Sequence, residues 1–577
     1  MKQRCPTISD PDITEDDLWS SFAKWKESTT TSPSGRHLGH MKSLLHRVDN
    51  QTENWPPNTT LPQDIFRLLY NITSICINKC HVLPRWETVH NLLIQKEEGN
   101  QKIHCLRTIH IQECNWQAIL RISVAKKTLP HAASLQKIHH AQWGGVPGKT
   151  AIDPAIQAIQ AIDYSHMTLT NMAIQYNDAK SCYDRLIEPQ TNIALHALGC
   201  PPKILLLHSE VHQHMKFYIK TSNGVAPEYS CHNITGPFWG AGQGACDASA
   251  RCTATSSTMF HAYDKISIPF IMTNPQHTST SLQRIAAYVD DATIKAGLPQ
   301  DASLADIQDI IHHNASAWET LLWNTGGKLE IDKCKIVLLH WRPTSNGRFR
   351  LSTKDEVPIH IEIIDSDSQT PTCIPQLNPD ESYKYLGVRI CADGDHTPQK
   401  QFLLQRSQRY AKAMHLCPID KSGINTAYHA CYLPSITYSL PATSFVEEDL
   451  HAIQNEATAT FLSRLGFNRH CPTEIVYAPR WFGGIGLRHL YCEQGIMKVK
   501  RLLAHLRSKS SLGKVLNIII DWYQQLSGLT EPIFLNTSYI PGTRNQWLTS
   551  LRIFLHETNC TIRLENEWSH PIIREHD

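Results

Sequence analysis

Apolar residues recur at three- and four-residue spacing in some stretches of this chain and alternate over short runs in others, so helices and strands are both expected. LPQDIFRLLYNITSICINKC (61–80), TAIDPAIQAIQAIDYS (150–165) and ADIQDIIHHNASAWETLLWNTGGK (305–328) carry helical stripes, the last closed by Gly326 and Gly327. WSSFAKWKE is a short amphipathic helix, and the turn SPSGRHLGHMKSLL opens another near Met41. LIQKEEGNQKIHCLRTI reads as strand, turn, strand, and KFYIKTSNGVAPEYSCHNITGPF alternates and turns at Asn223–Gly224. NMAIQYNDAKSCYDRLIEP begins as a strand and is expected to pass into a helix around Asp178. GAGQGACDASARCTATSSTMFHAY starts glycine-rich and becomes a helix of small residues, and YKYLGVRI reads as a strand. Beyond about residue 400 the pattern is mostly helical, with a glycine-rich turn at WFGGIGL.

With 577 residues, 41% hydrophobic and 19% charged, the chain suits several subdomains around more than one core. No apolar run is long enough to span a membrane, and the N-terminus lacks a secretory signal, so an intracellular protein is expected. The 18 cysteines include no CxxC pair and read as reduced packing residues. Cys76, Cys80 and His81 lack a fourth ligand at structural-zinc spacing, and the His37/His40 and His139/His140 pairs are expected by chance among 32 histidines. In an intracellular chain the Asn58–Thr60 sequon carries no meaning. Trp318 and Trp323 are expected in the core. Charge is nearly balanced at +2 but unevenly spread: Arg85 to Lys149 holds nine Lys/Arg against four Asp/Glu, and Arg464 to Lys514 holds ten against two. Two basic flanks around an acidic centre suit a protein that grips a polyanion.

The acidic centre includes RIAAYVDDATIKA (284–296), where Asp290 and Asp291 interrupt two β-compatible runs. A tight hairpin with the acids at its bend is the natural reading, although Asp-Asp is a poor two-residue turn. Asp178 stands at the C-terminal end of another apolar strand. Three converging carboxylates repel one another unless a cation compensates them. Hard oxygen ligands favour Mg2+ or Mn2+, and two such ions about 3.5–4 Å apart suit in-line phosphoryl displacement.

At these residues the chain resembles the reverse transcriptases (RNA-directed DNA polymerases), in particular the non-LTR retrotransposon type. YVDD at Tyr288–Asp291 resembles the family's YxDD, and Asp178 in DAKSCYDRL its first catalytic aspartate. Gln243 and Gly244 resemble its QG motif, NTGGKLEIDKCK with Lys333 the following motif, and Leu386–Gly387 in YKYLGVRI its primer-grip hairpin. SPSGRHLGHMKSLL resembles an N-terminal fingers motif whose usual Gly-Pro-Asp is replaced here, and PRWFGGIGL a downstream Pro…GGxGL segment. The spacing after Gln243–Gly244 departs from the family, with Ala248 and then Ser249, and Thr108 follows Arg107 where proline is usual.

The resemblance implies an α+β right-hand polymerase fold with fingers, an antiparallel-sheet palm and a helical thumb. Residues 1–28 would be a polar N-terminal segment, 29–400 fingers and palm, and 401–577 thumb and connection. It implies an enzyme, a nucleotidyltransferase, adding deoxynucleotides to a primer 3′-OH. Asp178, Asp290 and Asp291 would hold two Mg2+ (or Mn2+) ions, and Lys333, with Lys335 equally near, would serve the leaving pyrophosphate. Lys96 and Arg107 would neutralise the triphosphate, and Tyr183 would exclude a ribose 2′-OH. The implied partners are an RNA template, a DNA primer and dNTPs, with the chain part of a longer retroelement polyprotein. The alternatives are a catalytically inactive retroelement-derived RNA-binding protein and an RNA-dependent RNA polymerase.

Overall fold

A computed structural model describes residues 5–8, 12–26, 31–45, 61–96, 99–100, 102–232, 239–365 and 369–564; the Asn58–Thr60 sequon and parts of the N-terminal polar segment lie outside them. The chain is an α+β protein. The strands that bear on the site are, in chain order, β1 (Thr88–Gln95), β2 (Leu106–Ile111), β3 (Met172–Asn177), β4 (Lys216–Thr221), β5 (Gly224–Cys231), β6 (Ile285–Tyr288), β7 (Asp291–Gly297), β8 (Lys335–Leu339), β9 (Gln376–Leu377), β10 (Tyr383–Tyr385) and β11 (Val388–Ile390). The helices are α1 (Ile152–Thr168), α2 (Ala248–Ile266), α3 (Leu304–Asn324), α4 (Leu490–Ser508), α5 (Ser511–Ser527) and α6 (Gln546–Glu557).

One sheet has the order β2-β1-β4-β5, antiparallel apart from the parallel β1/β4 pair. It contains the expected strand–turn–strand around Lys96 and the hairpin at Asn223–Gly224. The central sheet has the order β9-β8-β3-β7-β6 and is antiparallel except at its β8/β9 edge. Strand β3 is buried along its whole length, which explains why MAIQY reads as a continuous apolar run rather than an alternating one. Its two buried amides pair with each other, Gln175 Nε2 donating to Asn177 Oδ1 at 2.7 Å.

Both faces of the central sheet are covered. Phe260 and Tyr263 on α2 and Trp318 on α3 pack against Ile294 and Ile336 on one face. On the other, Met172, Ile174 and Tyr176 meet Ile159 of α1, Ile519 of α5 and Trp547 of α6. The C-terminal third therefore divides between two cores: α5 and α6 join the sheet, while Tyr432, Phe461 and Leu490 build a separate cluster. Trp323, expected in the core, is instead exposed. Among the described residues no helix is long and apolar enough to cross a membrane.

A buried ion pair ties α1 to α4. Asp153 has no solvent exposure, and its Oδ1 lies 3.2 Å from both Arg501 Nη1 and His505 Nε2. Oδ2 accepts from the Thr150 N–H and hydroxyl, each at 2.9 Å. Burial opposes ionisation of Asp153, but His505, Arg501 and Thr150 together overcome it and hold the carboxyl below its usual range. This contribution is present at neutral pH and is lost as pH falls through that depressed value. Asp153→Ala should destabilise the protein by about 3–5 kcal/mol, because it strands buried positive charge, and equilibrium urea denaturation measures the loss.

Candidate active site

The register of the central sheet brings the acids together. Asn177 on β3 pairs with Ala292 on β7, so the next residues outward, Asp178 and Asp291, face each other across the sheet's end. On the other side of β3, Tyr176 pairs with Lys335; two residues further out the same register sets Lys333 beside Asp178. Lys333 Nζ lies 3.3 Å from Asp178 Oδ2, whereas Lys335 Nζ is occupied by the Asp332 carbonyl at 2.7 Å. Geometry thus separates two lysines that spacing leaves equivalent.

Asp178 does not enter a helix as expected. Ala179 forms a β-bridge with Leu329, the Lys180 N–H donates to the Lys328 carbonyl at 2.8 Å, and the Glu330 N–H donates to the Asp178 carbonyl at 2.9 Å. The carboxylate is therefore held by backbone from the NTGGKLE segment. Helix begins only at Cys182 and lasts to Arg185.

The bend between β6 and β7 also differs from a turn made by the two acids. Tyr288 pairs with Asp291, so Val289 and Asp290 are the two turn residues. Val289 has φ +61°, a left-handed conformation that costs a β-branched residue about 1–3 kcal/mol. A segment absent from the sequence reading holds it. Ala141 to Trp143 run along the free edge of β6, with the Ala287 N–H donating to the Ala141 carbonyl and the Trp143 N–H to the Ala287 carbonyl. The fully buried Gln142 accepts the Val289 N–H at 3.1 Å and the Gly144 N–H at 2.9 Å through Oε1, and its Nε2 donates to Ser256 Oγ at 2.6 Å. A Cβ on Gly144 would stand 2.5 Å from the Val289 backbone nitrogen, so only glycine permits this approach. The polar Gln142 inside the apolar AQWGG run is the signal that could have found it.

Electrostatics follow from this convergence. Burial, then the charges of Asp290 and Asp178, push the Asp291 carboxyl up to about 6, against the lowering influence of Lys384. Burial and Asp178 also raise Asp290, and Arg107 counters them. Each aspartate therefore faces a cation from a different element: Asp178 faces Lys333, Asp290 faces Arg107 on β2, and Asp291 faces Lys384 on β10. Lys96, at the exposed end of β1, acts on Asp184.

The remaining expected residues border this cluster. Tyr183, like Val289, packs against the cluster of Leu186 and Cys252, its hydroxyl bonded to Ser249 and its ionisation disfavoured by burial. Gln243 accepts the His110 N–H at 2.7 Å through its carbonyl, and Gly244, at φ +112°, approaches the His110 carbonyl so closely that a Cβ would lie 2.8 Å away. YKYLGVRI is a hairpin rather than one strand, and Leu386 (φ +48°) and Gly387 form its turn. Tyr385 donates to the Ala286 carbonyl at 2.8 Å, Tyr438 donates to that of Leu386 at 2.8 Å, and Tyr383 stacks on Tyr176 at 4.2 Å.

Among the described residues, one group, His139, His140 and Asp264, brings candidate metal-ligand atoms within 4.8 Å of one another; Asp178, Asp290 and Asp291 stand further apart than that. His139 Nδ1 accepts the Ala141 N–H at 3.2 Å, so its Nε2 carries the proton donated to Asp264 Oδ2 at 2.8 Å. That arrangement is a satisfied hydrogen-bonded pair anchoring the Gln142 segment to α2, not a ligand set. Cys76, Cys80 and His81 form no such group.

Because the folded-state value of Asp291 is raised, its ionisation costs stability as pH climbs from the ordinary carboxylate range through about 6. A divalent cation that binds the ionised cluster should reverse this. Mg2+ or Mn2+ is expected to raise the melting temperature at about pH 7.5 and much less at about pH 5, with Asp291→Asn losing most of the shift; differential scanning fluorimetry measures it.

No protein-family model matches the chain, and no curated protein matches it. Among solved structures it is similar to an apo telomerase from Candida tropicalis truncated of its C-terminal domain, with 13% identity and a TM-score of 0.32 over 53% of this chain and 60% of that one. It is also similar to a Candida tropicalis telomerase in complex with a TWJ fragment of telomeric RNA (13% identity, TM-score 0.33, 78% of this chain and 68% of that one). The corresponding complex from Candida albicans gives 12% identity and a TM-score of 0.31 over 89% and 80%. Likeness at this distance carries no argument about chemistry, which rests on the geometry of the site.

Proposed function

We propose that the protein is an RNA-directed DNA polymerase of retroelement type, adding deoxynucleotides to a DNA primer on an RNA template. The observation that carries this reading is the register that sets Asp178 opposite Asp291 at one end of a sheet, with Asp290 in the adjoining turn. An all-carboxylate set in which Asp178 raises Asp290, and Asp178 and Asp290 raise Asp291, fits hard divalent cations, so Asp178, Asp290 and Asp291 would hold two Mg2+ or Mn2+ ions. Such ions would supply activation of the primer hydroxyl and neutralisation of the leaving oxygen.

The chain's own groups account for the rest. Arg107, on the strand facing Asp290, and Lys96 at the neighbouring strand end would neutralise the triphosphate, arginine by a bidentate contact. Lys333, exposed and 3.3 Å from Asp178, would follow the leaving pyrophosphate as a movable point charge. The Tyr383–Ile390 hairpin, joined to β6 through Tyr385, would seat the primer end against the turn that carries Asp290. Tyr183, packed with Val289 against the cluster that holds Cys252, would close the space that a ribose 2′-OH needs. The basic stretches of residues 85–149 and 464–514 would bind template and primer phosphates without regard to sequence. The chain would work within a longer retroelement polyprotein.

Primer extension on poly(rA)/oligo(dT) with dTTP and Mg2+ tests the reading. Wild type should extend, and Asp290→Asn should abolish extension while RNA binding persists; retained extension by Asp290→Asn would refute the ligand role. Replacing dTTP with UTP separates an RNA polymerase from a DNA polymerase, and Tyr183→Val should raise ribonucleotide incorporation. Gln142→Leu, which frees the strained turn without touching a carboxylate, should lower the extension rate by about 10- to 100-fold while the protein stays folded by circular dichroism.

A further inference from the structure

Two thiols meet beneath the proposed catalytic turn. Cys182 Sγ and Cys252 Sγ lie 3.6 Å apart, although 70 residues separate them in the chain. Neither is in a disulfide. Cys182 opens the short helix that follows the Asp178 segment, and Cys252 is buried in the second turn of α2. The short helix and α2 pack directly on each other, so the two backbones are already close. Both cysteines line a pocket shared with Asn177, Val289 and Asp290, and Cys182, the half-buried member, is the one open to a small reagent.

We propose that Cys182 and Cys252 form a reversible disulfide, a covalent modification site that reports the oxidation state of the surroundings on the proposed active site. The co-reactant is a hydroperoxide. The Cys182 sulfur attacks the peroxide oxygen, the O–O bond breaks, and Cys182 becomes a sulfenic acid with release of water. The Cys252 sulfur then attacks the Cys182 sulfur, the S–O bond breaks, and a second water leaves with the Cys252 proton. Two thiols and one hydrogen peroxide thus give one disulfide and two waters. The sulfurs must close from 3.6 Å to about 2.05 Å. Cys182, Tyr183 and Val289 all pack against the one small apolar cluster that contains Cys252, so this movement is transmitted to the turn that carries Asp290. In a reducing compartment a disulfide of this kind is transient and regulatory rather than structural.

The chemical part of this inference stands independently of the polymerase reading, whereas its effect on activity rests on that reading. The test treats full-length protein with stoichiometric hydrogen peroxide, blocks free thiols, and maps disulfides by mass spectrometry of non-reduced peptides. A Cys182–Cys252 peptide that disappears with dithiothreitol is expected. Its absence while other cysteines oxidise overturns the proposal, even if the protein shows no extension activity at all. In the primer-extension assay, oxidation should slow wild type by about 10- to 100-fold, with recovery on dithiothreitol. Cys252→Ala, or Cys182→Ser if the core variant fails to fold, should lose this reversible sensitivity. Equal inhibition of a folded variant overturns the link to the site.

Discussion

At one end of one sheet, burial and the charge of Asp178 oppose the ionisation of Asp290 and Asp291, and the surrounding structure is arranged around that repulsion. Asp291 bears the largest share, pushed up to about 6 by burial and by its two neighbours. The relief comes from three separate elements, through Lys333, Arg107 and Lys384. No single strand or helix carries both an acid and its compensating cation, so the charge balance exists only when the two sheets and the Tyr383–Ile390 hairpin are assembled. Burial of the central sheet on both faces supplies the rigidity that keeps the acids from relaxing apart.

Rigidity has a local cost at the two turns that border the site. Val289 and Leu386 both adopt positive φ, at roughly 1–3 kcal/mol each. Each is held by a side chain from far along the chain: the Val289 N–H by Gln142, 147 residues away, and the Leu386 carbonyl by the Tyr438 hydroxyl, 52 residues away. One net hydrogen bond contributes about 0.5–1.5 kcal/mol, which does not cover such strain alone. Around Val289 the difference is made up by a second Gln142 bond to Gly144, by the backbone ladder along β6, and by the buried Trp143 beneath it. Lys149 completes this clamp: it donates to the Gln142 carbonyl at 2.8 Å and sits over the Trp143 ring, with burial lowering its pKa to about 8. The strain therefore persists because the tertiary structure over-determines the turn.

This division explains what was legible in the sequence. Helices with long periodic stripes, such as Leu61–Lys79 and α3, were readable because one face dominates burial, and α1, buried on nearly all sides, because its isoleucines recur every three to four residues. The acids were readable because charges are rare in apolar runs. Other features were not. The turn residues were misplaced by one, because φ +61° at valine contradicts local preference and is imposed by Gln142. The helix expected at Asp178 is displaced because residues 328–330 offer the backbone other partners there, an interaction across some 150 residues that no local pattern encodes. Lys333 and Lys335 were equivalent in spacing, and only the β3/β8 register separates them.

The same geometry bears on how the cations can serve a polyanion. An ion pair as open as Lys333–Asp178, with side-chain exposures of 68% and 28%, is worth about 0–1 kcal/mol. Lys333 is thus close enough to temper the acid yet loosely enough held to exchange it for a phosphate oxygen. Arg107 and Lys384 are exposed as well, and they act on the acids through their charge. Asp153–Arg501 shows the contrast: that carboxylate is sealed from water, shared with His505 and bonded to Thr150, and serves only to join two helices. The chain therefore places a tight ion pair at the helix joint and looser charges around the three aspartates, which is where a change of partner would be useful.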